Sequence, residues 1–320
     1  MAPKLAQVRT GMERAIMKIL VVGGTGLIGG HAALRLKSEG HEVAIGARKP
    51  APQGTGMAAL PFHRIDYVEE EPDEALLAQF DAIIFTAGND VRHAPTEADA
   101  QAAHWQRANA RAVPRFFASA KAAGVRHGIL IGSFYPQAAS HLVETNPYVA
   151  SRLAADQGAR ALADDNFHVV VLNGPFIMGH VPGLVVPAYQ AMAAWGMGHL
   201  PQLGRYTVAG GVNVISTDTL SDAIVGALTR GQNGKAYLIG DQNLSFKDYF
   251  ELFFKAAGDD EPLEIRDQEH PLLPDFAILA GRGNSIYYDT VPAEVAELGY
   301  RQNDVARTIA MIVDAQRAAA

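Results

Sequence analysis

Three residues of this 320-residue chain have the types and spacing for acid–base work on a carbonyl or an alcohol: Ser133, Tyr148 and Arg152. Tyr148 and Arg152 stand four apart in Asn146-Pro147-Tyr148-Val149-Ala150-Ser151-Arg152. On a helix their side chains share one face. A phenol beside a cation is a general acid. A unit charge about 4 Å away contributes on the order of 4 kcal/mol at an effective dielectric of about 20. About 1.4 kcal/mol moves an acid by one pKa unit, so one cation is the right size to bring a phenol towards neutrality. Ser133 closes a short apolar run and is placed to hydrogen-bond the same substrate oxygen, steadying a developing alkoxide. A Tyr-x-x-x-Arg pair on a helix surface also arises by chance. What singles this one out is its position behind a glycine-rich segment.

That segment is Lys18–Gly30, KILVVGGTGLIGG. An apolar run, Ile19–Val22, enters the glycines Gly23, Gly24, Gly26, Gly29 and Gly30, and a helical pattern follows through Ala32, Ala33, Leu34 and Leu36. Strand, glycine turn and helix in that order form a dinucleotide-binding fingerprint. A diphosphate needs backbone N–H groups at close range and the positive end of a helix. A Cβ at these positions would hold it away. Both G-x-G-x-x-G (Gly24, Gly26, Gly29) and G-x-x-G-x-x-G (Gly23, Gly26, Gly29) are present; the second is the pattern of short-chain dehydrogenases. A glycine-rich turn that binds nothing is the competing reading.

The elements that must position these groups alternate. Strands are expected at Val43–Ile45, Phe62–Ile65, Ala82–Phe85, Ile129–Ile131 and Val169–Leu172. Helices are expected over Glu71–Phe80, over about 99–123 with a kink at Pro114, and over Tyr148–Ala163. This predicts an α/β fold: a Rossmann-type, doubly wound parallel sheet with helices on both faces. Residues 173–214 are rich in Gly, Pro and aromatics, with weak periodicity. Helix over Asp218–Thr229, strand over Ala236–Ile239, a helix capped by Ser245, and an apolar stripe at Val305, Ile309, Ile312 and Val313 follow. The expected division is a dinucleotide-binding domain (17–172 plus 218–240) and a smaller, mostly helical C-terminal substrate domain (173–217 plus 241–320). Residues 1–16 lack the apolar core of a signal peptide and are expected to be a flexible extension.

Ligands of such sheets sit beyond the carboxyl ends of the strands. The second strand ends in Gly46-Ala47-Arg48-Lys49, where an NAD site places a carboxylate for the ribose hydroxyls. Arg48 instead suits a 2′-phosphate, which favours NADP(H) and leaves NAD(H) as the alternative; an ordinary surface Arg is the plainer reading. Asp66 is placed either to meet the adenine amino group or to open a turn.

Composition narrows the classes. Hydrophobic residues make up 48% and charged residues 19%, enough for a sizeable core. The net charge of −7, with scattered Lys and Arg, argues against nucleic acid and anionic membranes as partners. The absence of cysteine rules out disulfides, thiolate catalysis and Cys-ligated zinc. No His/Asp/Glu spacing suggests a metal, and no apolar run is long enough to span a membrane. A cytoplasmic location is expected.

GGTGLIGG, FTAG after the fourth strand, ILIGS, NPYVASR, NGPFIMG, VISTDTLSDAIVGAL, KAYLIG and AELGYRQND together resemble the extended short-chain dehydrogenase/reductase family, also called the NAD-dependent epimerase/dehydratase family. The likeness covers about residues 17–315 and is most specific in the N-terminal motifs. GARKP looks most like the NADP-using dihydroflavonol-reductase-like branch. The resemblance implies that Gly23, Gly26 and Gly29, with Leu27 and Ile28, approach the diphosphate, that Arg48 meets the 2′-phosphate, and that Asp66 lies near adenine. It implies Ala87 and Gly88 beside the adenosine ribose, a structural role for Asn109, Ser133 and Tyr148 as the catalytic pair, and Gly174, Pro175, Phe176 and Ile177 along the nicotinamide. Two departures stand out. The active-site Lys of the family is Arg152 here, which holds charge and hydroxyls but does not readily release a proton. Gly174 stands where the family has Pro.

Substrate contacts are expected from Asn89, Asp90 and His93, from Phe134 and Tyr135, and from 178–206, where Met178 and His180 stand nearest the nicotinamide stretch. Residues 178–206 carry aromatics and methionines but only Arg205 as a cation, which suggests an uncharged, partly apolar substrate; core packing is the competing account. The leading expectation is an NADP(H)-dependent oxidoreductase interconverting a carbonyl and an alcohol. Its competitors are a sugar-nucleotide epimerase or dehydratase with bound NAD, and a non-catalytic dinucleotide sensor. A homodimer through 99–123 and 148–163 is expected from related enzymes.

Overall fold

The computed structural model describes residues 16–89, 95 and 97–319. Residues 1–15 of the expected extension lie outside them, as do Asp90 and His93. β1 (Lys18–Val22) leads into α1 (Leu27–Ser38), β2 (Glu42–Ala47), β3 (Phe62–Arg64), the one-turn α2 (Glu74–Leu77) and β4 (Ala82–Phe85). A helical rod follows, built from α3 (Ala98–Trp105), a π-helical segment (Gln106–Arg111) and α4 (Ala112–Ala122). Then come β5 (His127–Ser133), the short α5 (Tyr135–Ala138) and α6 (Leu142–Thr145), α7 (Pro147–Arg160) and β6 (His168–Gly174). The second half holds β7 (Phe176–Met178), α8 (Pro187–Gly196), β8 (Tyr206–Thr207), β9 (Gly211–Ser216), α9 (Thr217–Arg230) and β10 (Ala236–Leu238). It closes with β11 (Gln242–Ser245), α10 (Phe246–Ala257), β12 (Glu264–Ile265), β13 (Ser285–Ile286), α11 (Pro292–Leu298) and α12 (Val305–Ala319).

Seven strands form one sheet in the order β10-β6-β5-β4-β1-β2-β3, and every neighbouring pair is parallel. The strand order reverses between β1 and β4, which opens a crevice beyond their carboxyl ends. Period-two alternation splits β1 between two cores. Ile19 and Val21 pack with α1 and α9 residues such as Leu36 and Ile224, while Leu20 and Val22 pack with Phe116 and Phe117 of α4. Both faces are covered, which is why β1 reads as an unbroken apolar run.

Two elements differ from the sequence reading. The helix expected over 71–80 shrinks to one turn, capped by Asp73, whose side chain accepts from the Ala75 and Leu76 N–H groups. The break expected at Pro114 takes the form of the π-helical segment upstream of it. Proline has no N–H to give to residue 110, and the helix there runs in the wider register.

The weakly periodic stretch 173–214 contains β7, α8, β8 and most of β9. β7 pairs with β9, and β9 with β11 and β13, in a separate four-stranded sheet. All six residues of β9 are buried, the polar Asn213 and Ser216 among them. Against this sheet α8, α10 and α12 bury an aromatic-rich cluster that includes Trp195, Phe250 and Ile309. Ser245 caps α10, its hydroxyl accepting from the Asp248 N–H.

Candidate active site

The β1–α1 turn shows why its glycines are glycines. Gly23 has φ +86°, and a Cβ there would lie 2.7 Å from the Ala87 nitrogen and from Thr86 Oγ1. At Gly29 a Cβ would lie 2.4 Å from both the Gly23 carbonyl and Thr86 Oγ1. Protein already occupies those two spaces. At Gly26 the nearest protein atom would be 3.5 Å away, so this glycine keeps open the side from which a ligand arrives. Gly26 is the N-cap of α1 and supplies no side chain to its first-turn amides. Bare amides at the positive end of a 12-residue helix form an anion site, and a dinucleotide diphosphate fits it. Thr86, which sequence reasoning passed over, closes the turn from β4, donating its hydroxyl to the Val22 carbonyl at 2.8 Å.

On the adenosine side, β2 ends at Ala47, followed by exposed Arg48 and Lys49. Asp66 opens a turn: Oδ1 accepts from the Val68 and Glu69 N–H groups at 3.2 and 3.3 Å. That is the second of the two roles its position allowed, and it leaves Oδ2 for any adenine contact. Tyr67 beside it is buried, which pushes its phenol up to about 12, and Asn89 donates to its hydroxyl at 2.7 Å. The Asn89 side chain is thus committed to Tyr67. Ala87 and Gly88 follow β4 next to the turn, and an added Cβ at Gly88 would sit 3.6 Å from Arg152 Nη1.

α7 carries the candidate acid. Asn146 caps it, accepting from the Tyr148 and Val149 N–H groups, and Pro147 pre-sets its first turn. Tyr148 is buried. Arg152 Nη1 donates to the Tyr148 hydroxyl at 3.0 Å, and Nη2 donates to the Ile131 carbonyl at 3.0 Å. The guanidinium therefore bridges the phenol and β5, two residues before Ser133. Ser133 is buried at the end of β5, in register with Gly174. Asn109 lies in the π segment and donates to the Asn89 carbonyl and to Ser151 Oγ, both at 3.1 Å. Ser151 in turn donates to the Tyr148 carbonyl. The Asn109 amide ties the loop after β4 to α7.

Gly174 and Pro175 are buried, and Phe176 and Ile177 half-buried, beyond β6. The Gly174 carbonyl accepts from the Phe134 N–H at 3.2 Å, which joins the residue after Ser133 to this stretch. On the substrate side, Phe134 packs on Tyr135 with ring centroids 4.2 Å apart. Burial raises the Tyr135 phenol. Met178 is buried. His180 is half-buried, which lowers its imidazole below the usual value.

Sequence reasoning missed Trp105, whose ring stands against Tyr148 at 5.5 Å, and Asn173. Asn173 is buried at the end of β6 and donates to Gln137 Oε1 at 2.8 Å and to Asp156 Oδ2 at 2.9 Å. It joins the turn after Ser133 to the helix carrying Tyr148. Asn173 sits next to Gly174, and Asp156 lies one helical turn beyond Arg152; those spacings were the available signals.

The cations of the C-terminal half are engaged. Between residues 174 and 300, Arg205 pairs with Asp259 at 2.6 Å, Lys235 with Glu294 at 3.0 Å, Lys247 and Lys255 with Glu251, Arg266 with Glu264 at 2.6 Å and Arg282 with Asp275 at 2.6 Å. Arg230 donates to the Glu297 and Leu298 carbonyls.

Comparison with known proteins gives the family and the fold. The sequence pattern of the NAD dependent epimerase/dehydratase family matches residues 19–240. No curated protein sequence matches the chain. Among solved structures, UDP-glucose 4-epimerase from Bifidobacterium longum in complex with NAD+ and UDP superposes with TM-score 0.70 at 20% identity, covering 94% of this chain and 98% of that one. UDP-N-acetylglucosamine 4-epimerase from Bacillus cereus gives TM-score 0.68 at 14% identity, covering 94% and 96%. The Bordetella bronchiseptica enzyme WbmF in complex with NAD+ gives 0.71 at 14%, covering 95% and 93%. These likenesses establish the shared fold.

Proposed function

The chain belongs to the NAD dependent epimerase/dehydratase family, and from that premise we propose that it is an NADP(H)-dependent oxidoreductase acting on a small, largely uncharged carbonyl or alcohol. The observation that carries the reading is the Arg152 bridge between the Tyr148 hydroxyl and the Ile131 carbonyl. The guanidinium donates into the phenol oxygen, so the phenol's own proton is left for a substrate oxygen. When Tyr148 gives that proton up, the charge that develops faces a cation which does not deprotonate. Ser133 orients the same oxygen. A nicotinamide dinucleotide, when bound, would supply or accept the hydride. The amides of Leu27, Ile28 and Gly29 would hold the diphosphate, Arg48 the 2′-phosphate, and Gly174–Ile177 the nicotinamide side. Rate acceleration comes mainly from orientation and acid–base work.

The exposed Arg48, with no carboxylate in Gly46–Lys49, supports NADPH. The engaged cations of the C-terminal half support an uncharged substrate over a nucleotide diphosphate. Relatives whose structures hold NAD favour a second reading, a sugar-nucleotide epimerase or dehydratase with NAD retained. Tyr148→Phe tests the first. Turnover on a panel of ketones with NADPH is expected to fall by about 10²-fold or more, with NADPH affinity preserved. Undiminished turnover removes Tyr148 from the mechanism. A purified protein that retains NAD and is stabilised by UDP-glucose, with no ketone turnover, replaces the first reading by the second.

A further inference from the structure

The chain has two tryptophans. Both are buried in the same aromatic-rich cluster, and their indole N–H groups fare differently. Trp195 donates to the Gly204 carbonyl at 2.8 Å. Trp105 is 6% exposed, and its Nε1 is buried with no acceptor among the described residues. An unmade hydrogen bond at a buried donor costs about 1–3 kcal/mol, and such groups are rare enough in folded proteins to call for a reason.

The surroundings of Trp105 point to one. Its ring meets the Tyr148 ring in a T-shaped contact at 5.5 Å. Phe134, Tyr135 and Met178 belong to the same cluster. Trp105 is also the last residue before the helix widens into its π-helical segment, an irregularity that recurs at functional sites. An indole whose N–H has no partner among the described residues stands with its ring against the candidate acid.

We propose that Trp105 Nε1 is a specificity-determining donor that receives an acceptor oxygen of the substrate. The substrate then carries two oxygens: the carbonyl or hydroxyl facing Tyr148, and a second acceptor a few bonds away, in an ester, ether, hydroxyl or carbonyl group. An apolar analogue of the same size leaves the indole unpaired and is discriminated against. The assignment rests on Tyr148 being the proton donor of the reaction.

The test uses the full chain labelled with 15N-tryptophan and saturated with NADP+, so that a ketone binds without being reduced. Its two indole resonances are assigned with Trp105→Phe or, where that variant does not fold, with Trp195→Phe. Ethyl acetoacetate and butyl methyl ketone are the probes, matched in carbon count and differing in the second acceptor. Ethyl acetoacetate is expected to move the Trp105 indole proton downfield, while butyl methyl ketone leaves it in place and Trp195 stays fixed under both. No movement with either probe, equal movement with both, or movement at Trp195 alone overturns the proposal. With NADPH, wild-type protein is expected to favour ethyl acetoacetate in kcat/KM by about tenfold or more, and Trp105→Phe to bring that ratio close to one. An equal loss on both ketones assigns Trp105 to packing and overturns the proposal. Absence of all ketone turnover counts against the oxidoreductase reading, and the indole shift still decides the role of Trp105.

Discussion

Around the β1–α1 turn the walls at Gly23 and Gly29 are peptide groups together with the Thr86 hydroxyl; around Tyr148 they are side chains. A Cβ at Gly29 meets the Gly23 carbonyl, which cannot retreat without moving the strand it ends. Tyr148 instead meets Trp105, and the cluster around it is built from Phe134, Tyr135 and Met178. Side-chain walls can be rebuilt with other residues of similar volume, whereas a wall of peptide groups admits one residue type. The cofactor end of the crevice is therefore rigid in its sequence requirements. The side-chain-walled end around Tyr148 tolerates wider substitution.

The largest effect expected from this contrast is at Gly29. Gly29→Ala should disrupt the turn and weaken NADPH binding by on the order of 10²-fold, from an overpacking cost of about 1–3 kcal/mol. Gly26→Ala, with its open Cβ position, should melt close to wild type and still bind NADPH more weakly, because the new methyl meets the ligand. Calorimetry and thermal melts on both variants separate the two; wild-type affinity in Gly29→Ala would break the comparison. Next is Arg48→Asp, expected to weaken NADPH by about tenfold or more, the loss of a charge-assisted phosphate contact, with a smaller change for NADH. Equal losses would mean that Arg48 contributes only general charge.

A pH effect, read on stability rather than on binding, belongs to the side-chain-built half. His270 is fully buried among Trp195, Tyr206 and Phe250. Burial pulls its imidazole down to about 4, against about 6.5 in an unfolded chain. Between those values the unfolded chain takes up a proton that the native one refuses, so stability falls as pH drops from about 6.5 towards 4. His270→Gln should flatten that part of the profile of urea midpoints, and an unaltered slope would show that other groups set it.

Much of the cofactor half was legible along the chain. The glycines, the burial of β1 on both faces and the ends of the parallel strands follow from local pattern, because backbone requirements repeat at short range. The Ser245 cap and the stripe Val305, Ile309, Ile312 and Val313, all buried in α12, were legible for the same reason. The one-turn α2 was not, since four residues of helix depend on what packs against them. At Asp66, two roles fitted the sequence, and the hydrogen bonds to Val68 and Glu69 assign one oxygen to the turn.

The sequence by itself determined the order of strand, glycine turn and helix, the four-residue spacing of Tyr148 and Arg152, and the absence of thiol chemistry. These are properties of neighbours in the chain. Only the tertiary structure decided that Arg152 reaches back to Ile131, that Asn109 joins Asn89 to Ser151, that the Trp105 indole stands against Tyr148 with no partner among the described residues, and that the cations of the C-terminal half are occupied. Each of these joins residues brought together by the parallel sheet and its crossovers, and hydrogen bonds and ion pairs over such separations leave no periodic trace in sequence.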